Sequence, residues 1–151
     1  MRMTSRNREL SISRVSILFI LFTAVIGCGG SSSSAVAKYS GSYGVTEYLN
    51  GARHLEGTMS VSDTGTAEYD VALEPGNALT ERLLYRGTVS SEGAVSLQLV
   101  SGASTNAKMT GTIALTGGFF QVKDGRFFDQ GGGAVAPDAW RWEAVCATCN
   151  T

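Results

Sequence analysis

The sequence predicts an all-β fold, a single small antiparallel up-and-down meander of about eight strands closed as a barrel or stacked as a sandwich. Three observations carry that prediction. Apolar and polar residues alternate with a period of two through most of the chain after residue 38. One unit, an apolar residue, a Gly-Thr pair, a second apolar residue and then a glycine turn, occurs three times. The 151 residues also include 19 glycines but only two prolines, Pro75 and Pro137, a composition suited to tight turns between unbroken strands.

The elements follow in order. Tyr39, Gly41, Tyr43 and Val45 share one face of a first strand. In Leu55–Val61 the odd positions are apolar or glycine, and in Ala67–Leu73 the odd positions are apolar with Glu68 and Asp70 between them. Strict alternation marks a strand with one face on a core and one in water. Asp63, Thr64 and Gly65 form the turn between those two strands. The unit recurs as Leu83–Val89, a turn at Ser91–Gly93 and Val95–Leu99, and again as Met109–Leu115, a turn at Thr116–Gly118 and Phe119–Val122. The segment from Asn77 could open as a short helix capped by Asn77, but register with Gly87 and Thr88 favours a strand from about Thr80. Asp124-Gly125 reads as a further turn. Trp140, Trp142 and Ala144 share the inner face of a last strand, with Arg141 and Glu143 outside. Gly57, Gly87 and Gly111 fall on the inner face in every copy, where a missing side chain lets a strand bend and leaves room for a large neighbour.

Ahead of this domain stands a different kind of segment. Arg2, Arg6, Arg8 and Arg14 precede an apolar stretch from Val15 to Ile26. A basic start followed by a short apolar run is the pattern of a secretory signal peptide. As a helix the run would span roughly 20 Å, short of the ~30 Å hydrocarbon core of a bilayer. Val25-Ile26-Gly27-Cys28 resembles the lipobox of bacterial lipoproteins. That resemblance implies cleavage before Cys28, acylation of its sulfur, and anchoring in the cell envelope, with Gly29 after the cysteine favouring the outer membrane. Gly29, Gly30 and Ser31–Ser34 then read as a flexible tether. The expected organisation is a signal peptide over 1–27, a lipidated cysteine and linker over 28–36, and the β domain over 37–151. The repeated Gly-Thr hairpins look like those of small bacterial lipoproteins. Gly41-Ser42-Tyr43 and Arg141 also resemble the calycin pattern of lipocalins and avidins, in which an aromatic residue on the first strand packs under a basic residue of the last; Tyr43 stands here where that family carries tryptophan.

Without the leader, eight of the twelve basic and twelve of the thirteen acidic residues remain, so the mature chain is mildly acidic. That balance argues against nucleic acid as a partner. His54 is the only histidine, and the alternation points it outward opposite Leu55 as a solvated residue. Zinc needs three or four protein ligands, and no such set is spaced in the chain; no nucleophile-base pair is recognisable either. No catalytic residue, metal site or cofactor is therefore expected. Cys146 and Cys149 lie after the last strand without a following helix, the setting of a local disulfide, or alternatively of an intermolecular or free-thiol role, rather than of a redox motif. Glu68, Asp70 and Glu74 belong to a solvent face. The densest aromatic region yields one candidate binding patch, Phe120, Phe128, Trp140 and Trp142, beside Gly131–Gly133. The functional expectation is a non-enzymatic envelope module held to the lipid bilayer through acylated Cys28. The alternatives are a carrier for a small apolar ligand in a barrel cavity and an inhibitor or other binder of an envelope protein.

Overall fold

A computed structural model describes residues 35–71 and 81–149. Cys28, the leader, the Gly/Ser tether, Glu74 and Asn77 lie outside the described residues. A 3-10 turn at Ala37–Tyr39 leads into nine strands: β1 Gly41–Leu49, β2 Ala52–Val61, β3 Thr66–Val71, β4 Leu83–Val89, β5 Ala94–Ser101, β6 Asn106–Thr112, β7 Ala114–Thr116, β8 Phe119–Asp129 and β9 Trp140–Cys146. Every pairing is antiparallel. The order runs β6-β5-β4-β3-β2-β1-β9-β8, and β8 pairs back onto β6. Eight strands thus close into a barrel, which resolves the choice between barrel and sandwich and leaves no open edge around the ring. Short β7 adds to β8 as the one strand outside the ring.

Two sequence expectations change at the closure. The predicted strand Met109–Leu115 divides at Ile113, because β6 pairs with β5 and the far half of β8 while β7 peels away onto the start of β8. Asp124-Gly125 is not a turn: β8 runs unbroken through it. Val122 faces Ala144 and Gly125 faces Trp142, so three steps on β8 match two on β9 and the strand bulges. The cause is Trp142. A Cβ on Gly125 would collide with its indole, so only glycine lets β8 pass over the ring. At the β7–β8 turn, Gly117 and Gly118 both have positive φ, 62° and 86°, the condition for the tight hairpin that matches strand twist.

Gly57, Gly87 and Gly111 share the phase of the buried positions on β2, β4 and β6, as expected. A Cβ on Gly87 would run into the Ser96 carbonyl of β5, and one on Gly111 would sit 2.7 Å from Val122 Cγ1 and 3.0 Å from Trp142 Cζ2. These glycines admit the neighbouring backbone and the large rings.

The interior is filled by side chains. Trp142, Tyr43, Tyr69, Tyr85, Phe127, Leu55, Met59, Leu97, Met109 and Ile113 are all fully buried. One end is plugged by the 3-10 turn: Tyr39 is buried, Tyr43 Oη donates to its carbonyl at 2.8 Å, and Phe120 packs edge-on against its ring at 5.4 Å. Cys146 and Cys149 are joined in a disulfide at the same end, beside Gly41. Outside, Glu68 pairs with Arg86 of β4 at 2.7 Å, and Asp70 pairs with Arg82 just ahead of β4. These acids sit on the solvent face, as expected; exposed pairs of this kind contribute little stability.

Candidate functional site

Tyr43, Val45 and Glu47 are successive inward residues of β1, so the strand that supplies core rings also carries a carboxylate into the barrel. Glu47 is only 2% exposed. A buried carboxylate is costly unless its oxygens are hydrogen-bonded. Here Tyr69 Oη on β3 donates to Oε1 at 2.9 Å, and Trp140 Nε1 on β9 donates to Oε2 at 3.1 Å. Tyr69 stacks on Tyr85 of β4 with centroids 5.8 Å apart, and Tyr85 Oη donates to the Asn106 carbonyl of β6 at 2.9 Å. The polar chain therefore ties β1, β3, β4, β6 and β9 together at the end opposite the 3-10 turn.

Burial pushes the Glu47 carboxyl up to about 7, against the opposing pull of the hydrogen bonds from Tyr69 and Trp140. Burial and the adjacent carboxylate drive the Tyr69 phenol far above its ordinary value, so it stays a donor. Burial also raises Tyr85, to about 12. Chemically the centre holds a proton near neutral pH. Both oxygens are engaged, and the group has almost no exposure to solvent.

His54 joins this corner, contrary to the outward, solvated placement that alternation predicts. Glu47 faces Leu55 and Tyr48 faces Arg53, so His54 is the extra residue of a bulge in β2. The bulge turns the half-buried imidazole edge-on to Trp140, 5.5 Å between centroids at 81°. Trp140 in turn leans on Phe127 at 5.8 Å.

The predicted aromatic patch does not assemble. Trp142 is fully buried, its Nε1 donating to the carbonyls of Thr110 at 3.1 Å and Arg126 at 3.3 Å. Trp140 is committed to Glu47. Phe120 is half-buried against Tyr39, while Phe128 lies eight residues along β8, beneath Lys108 Nζ at 5.7 Å. Alternation made one ring of each Phe-Phe pair a surface residue; in the first pair that residue is Phe119, 60% exposed. Gly133 N donates to Asp129 Oδ1 at 2.8 Å, which closes the adjacent glycine loop as a hydrogen-bonded turn. Arg141 stacks on Tyr48, 4.1 Å from its ring centroid, and pairs with Glu143. Tyr43, five residues earlier on β1, instead faces Cys146, so the calycin-like aromatic-basic contact falls on a different tyrosine. Among the described residues no three of His, Cys, Asp and Glu cluster as metal ligands.

A cleft of about 720 Å3 runs over the outer face of β5, β6 and β8, with Ala114 and Thr116 of β7 also in its lining. Sequence reading missed it, as it missed Glu47. Extending the Tyr43-Val45 alternation by two residues reaches Glu47; the cleft depends on strands that meet only when the barrel closes. Compared with known proteins, the chain matches no protein-family model and no curated protein sequence.

Proposed function

We propose that this chain is a lipid-anchored protein of the bacterial cell envelope, held to the outer membrane through acylated Cys28, whose barrel is a non-enzymatic binding or structural module. The address rests on the basic start, the short apolar run and the lipobox-like residues 25–28. The module reading rests on one structural observation: ten large side chains, five of them aromatic, fill the barrel. An internal carrier needs room that such packing consumes, so contacts with partners fall on the outside. The closed eight-strand ring is compatible with a calycin-like barrel.

Intact-mass measurement and membrane fractionation of the expressed chain test the anchor. The wild type should carry the mass of its acyl groups and sediment with membranes, and Cys28→Ala should do neither. Unchanged partitioning of Cys28→Ala would refute it. A hydrolase or thiol-oxidoreductase activity abolished by Cys149→Ser would refute the non-enzymatic reading.

A further inference from the structure

From the outer cleft on β5, β6 and β8 we infer a binding site for an acidic saccharide, a chain of uronic-acid sugars lying along the strands. The inference rests on the module reading but not on the lipid anchor.

The charges come first. Arg53, Arg82, Arg86 and Arg141 each hold a carboxylate partner. Lys38, Lys108, Lys123 and Arg126 make no ion pair among the described residues, and all of these but Lys38, which lies over the Tyr39 ring, line this one cleft. In a mature chain with more acids than bases, that is a selective arrangement. Arg126 also lies directly opposite Arg141 across β8 and β9. Glu143 takes up the charge of Arg141, whereas Arg126 keeps no carboxylate partner among the described residues. Asp124 is the one acid in the lining, which leaves a positive excess.

Geometry selects the ligand. Lys108 faces Phe128, and Arg126 faces Thr110. The three cations are thus spread over the five residue steps from 128 to 123 of β8, roughly 16 Å of strand. Spaced single charges match a chain carrying one carboxylate per unit better than one compact phosphate. A guanidinium and ammonium groups are suited to carboxylates. Between the cations, Ser96 and Thr110 stand in facing positions on β5 and β6, and their hydroxyls can exchange hydrogen bonds with sugar hydroxyls. An acidic peptide is less well served. The free backbone here is short: β7 spans three residues, and β8 lacks a partner on its β6–β7 side only from Val122 to Gly125, where it bulges, so an extended strand finds little regular pairing.

Calorimetric titration of the purified full chain with oligogalacturonate tests the proposal. The neutral oligogalactan and poly-glutamate of similar length are the comparisons. The uronic oligosaccharide should bind, and both comparisons should bind about tenfold more weakly or worse. The double variant Lys123→Ala/Arg126→Ala should lose about tenfold or more in affinity. Asp124→Asn should bind more tightly. Both replaced cations are exposed, and an unchanged melting curve would show the fold intact. No binding by the wild type, equal binding of either comparison, or full affinity in the double variant would overturn the proposal. Membrane partitioning is read separately, so a failed titration beside a lipidated chain would sink the saccharide site alone.

Discussion

Replacing Glu47 by glutamine tests the buried centre most directly. In the folded chain the carboxyl holds its proton up to about pH 7, whereas its ordinary value is 4.5. Below pH 4.5 both folded and unfolded states are protonated, and the favourable contribution of the neutral buried form is complete. Between 4.5 and about 7 the unfolded chain has released a proton that the folded chain keeps, so stability falls as pH rises. At about 1.4 kcal/mol per pH unit the loss across this window comes to about 3 kcal/mol, a large part of the stability of a domain this size. Glu47→Gln has nearly the same shape and no proton to lose. Its carbonyl can accept from Trp140 Nε1 while its amide donates to Tyr69 Oη, since a phenol both donates and accepts. Urea unfolding followed by tryptophan fluorescence, in steps of pH through the window and above it, gives the difference between the two proteins. The variant should gain steadily on the wild type as pH rises, then hold a constant lead of about 3 kcal/mol above neutrality. Parallel stability curves, or a wild type that gains on the variant with rising pH, would refute the assignment of a raised carboxyl to the core.

Two further outcomes follow from the packing. Gly87→Ala should cost at least about 2 kcal/mol in chemical denaturation, because the new methyl meets the Ser96 carbonyl. Gly44→Ala on β1, with open space around it, should change stability by less than about 0.5 kcal/mol; equal effects would contradict the inward placement of Gly87. Cys149→Ser should shift the global midpoint little, since the bridge closes a loop far shorter than the 15 residues associated with ~3 kcal/mol. Hydrogen exchange should instead rise at Ser42 and Ala147, whose amides bond across this end to Thr148 Oγ1 at 2.9 Å and to the Ser42 carbonyl at 2.7 Å. Loss of protection throughout the barrel would show that the bridge supports the whole fold.

The strands, their inward glycines and the outward acids of β3 were legible because alternation is local: neighbours two apart in sequence share a face whatever the partner strand. Glu47 stands in the same phase as Tyr43 and Val45, yet it was missed, because a carboxylate there breaks the expectation of an apolar core. His54 and Asp124 were misplaced for one shared reason. Each lies in a bulge, and a bulge is set by the partner across the sheet, not by the strand that carries it. Both bulges lie against tryptophans of β9, Trp140 for His54 and Trp142 for Asp124-Gly125, more than fifteen residues away in one case and more than eighty in the other. No local pattern reports such contacts. The barrel seam is similarly non-local, since β6 meets β8 across the departing β7 hairpin.

The seam also joins the core to the surface. Trp142 is too large to pass beneath a regular β8, and Gly125 with its bulge makes the space. One extra residue in β8 puts Lys123 and Asp124, consecutive in sequence, both on the exposed side. A regular strand would have turned one of them inward. The indole under the seam then donates to the carbonyls of Thr110 and Arg126, the facing pair that forms the middle of the cleft. A single buried ring thus fixes the spacing of Lys123 from Arg126 and the floor between β6 and β8. Trp142→Phe keeps an aromatic ring in the core, directly opposite Glu47 on β1, but removes that donor, so its cost should appear at the seam, as faster exchange of the β6–β8 amides.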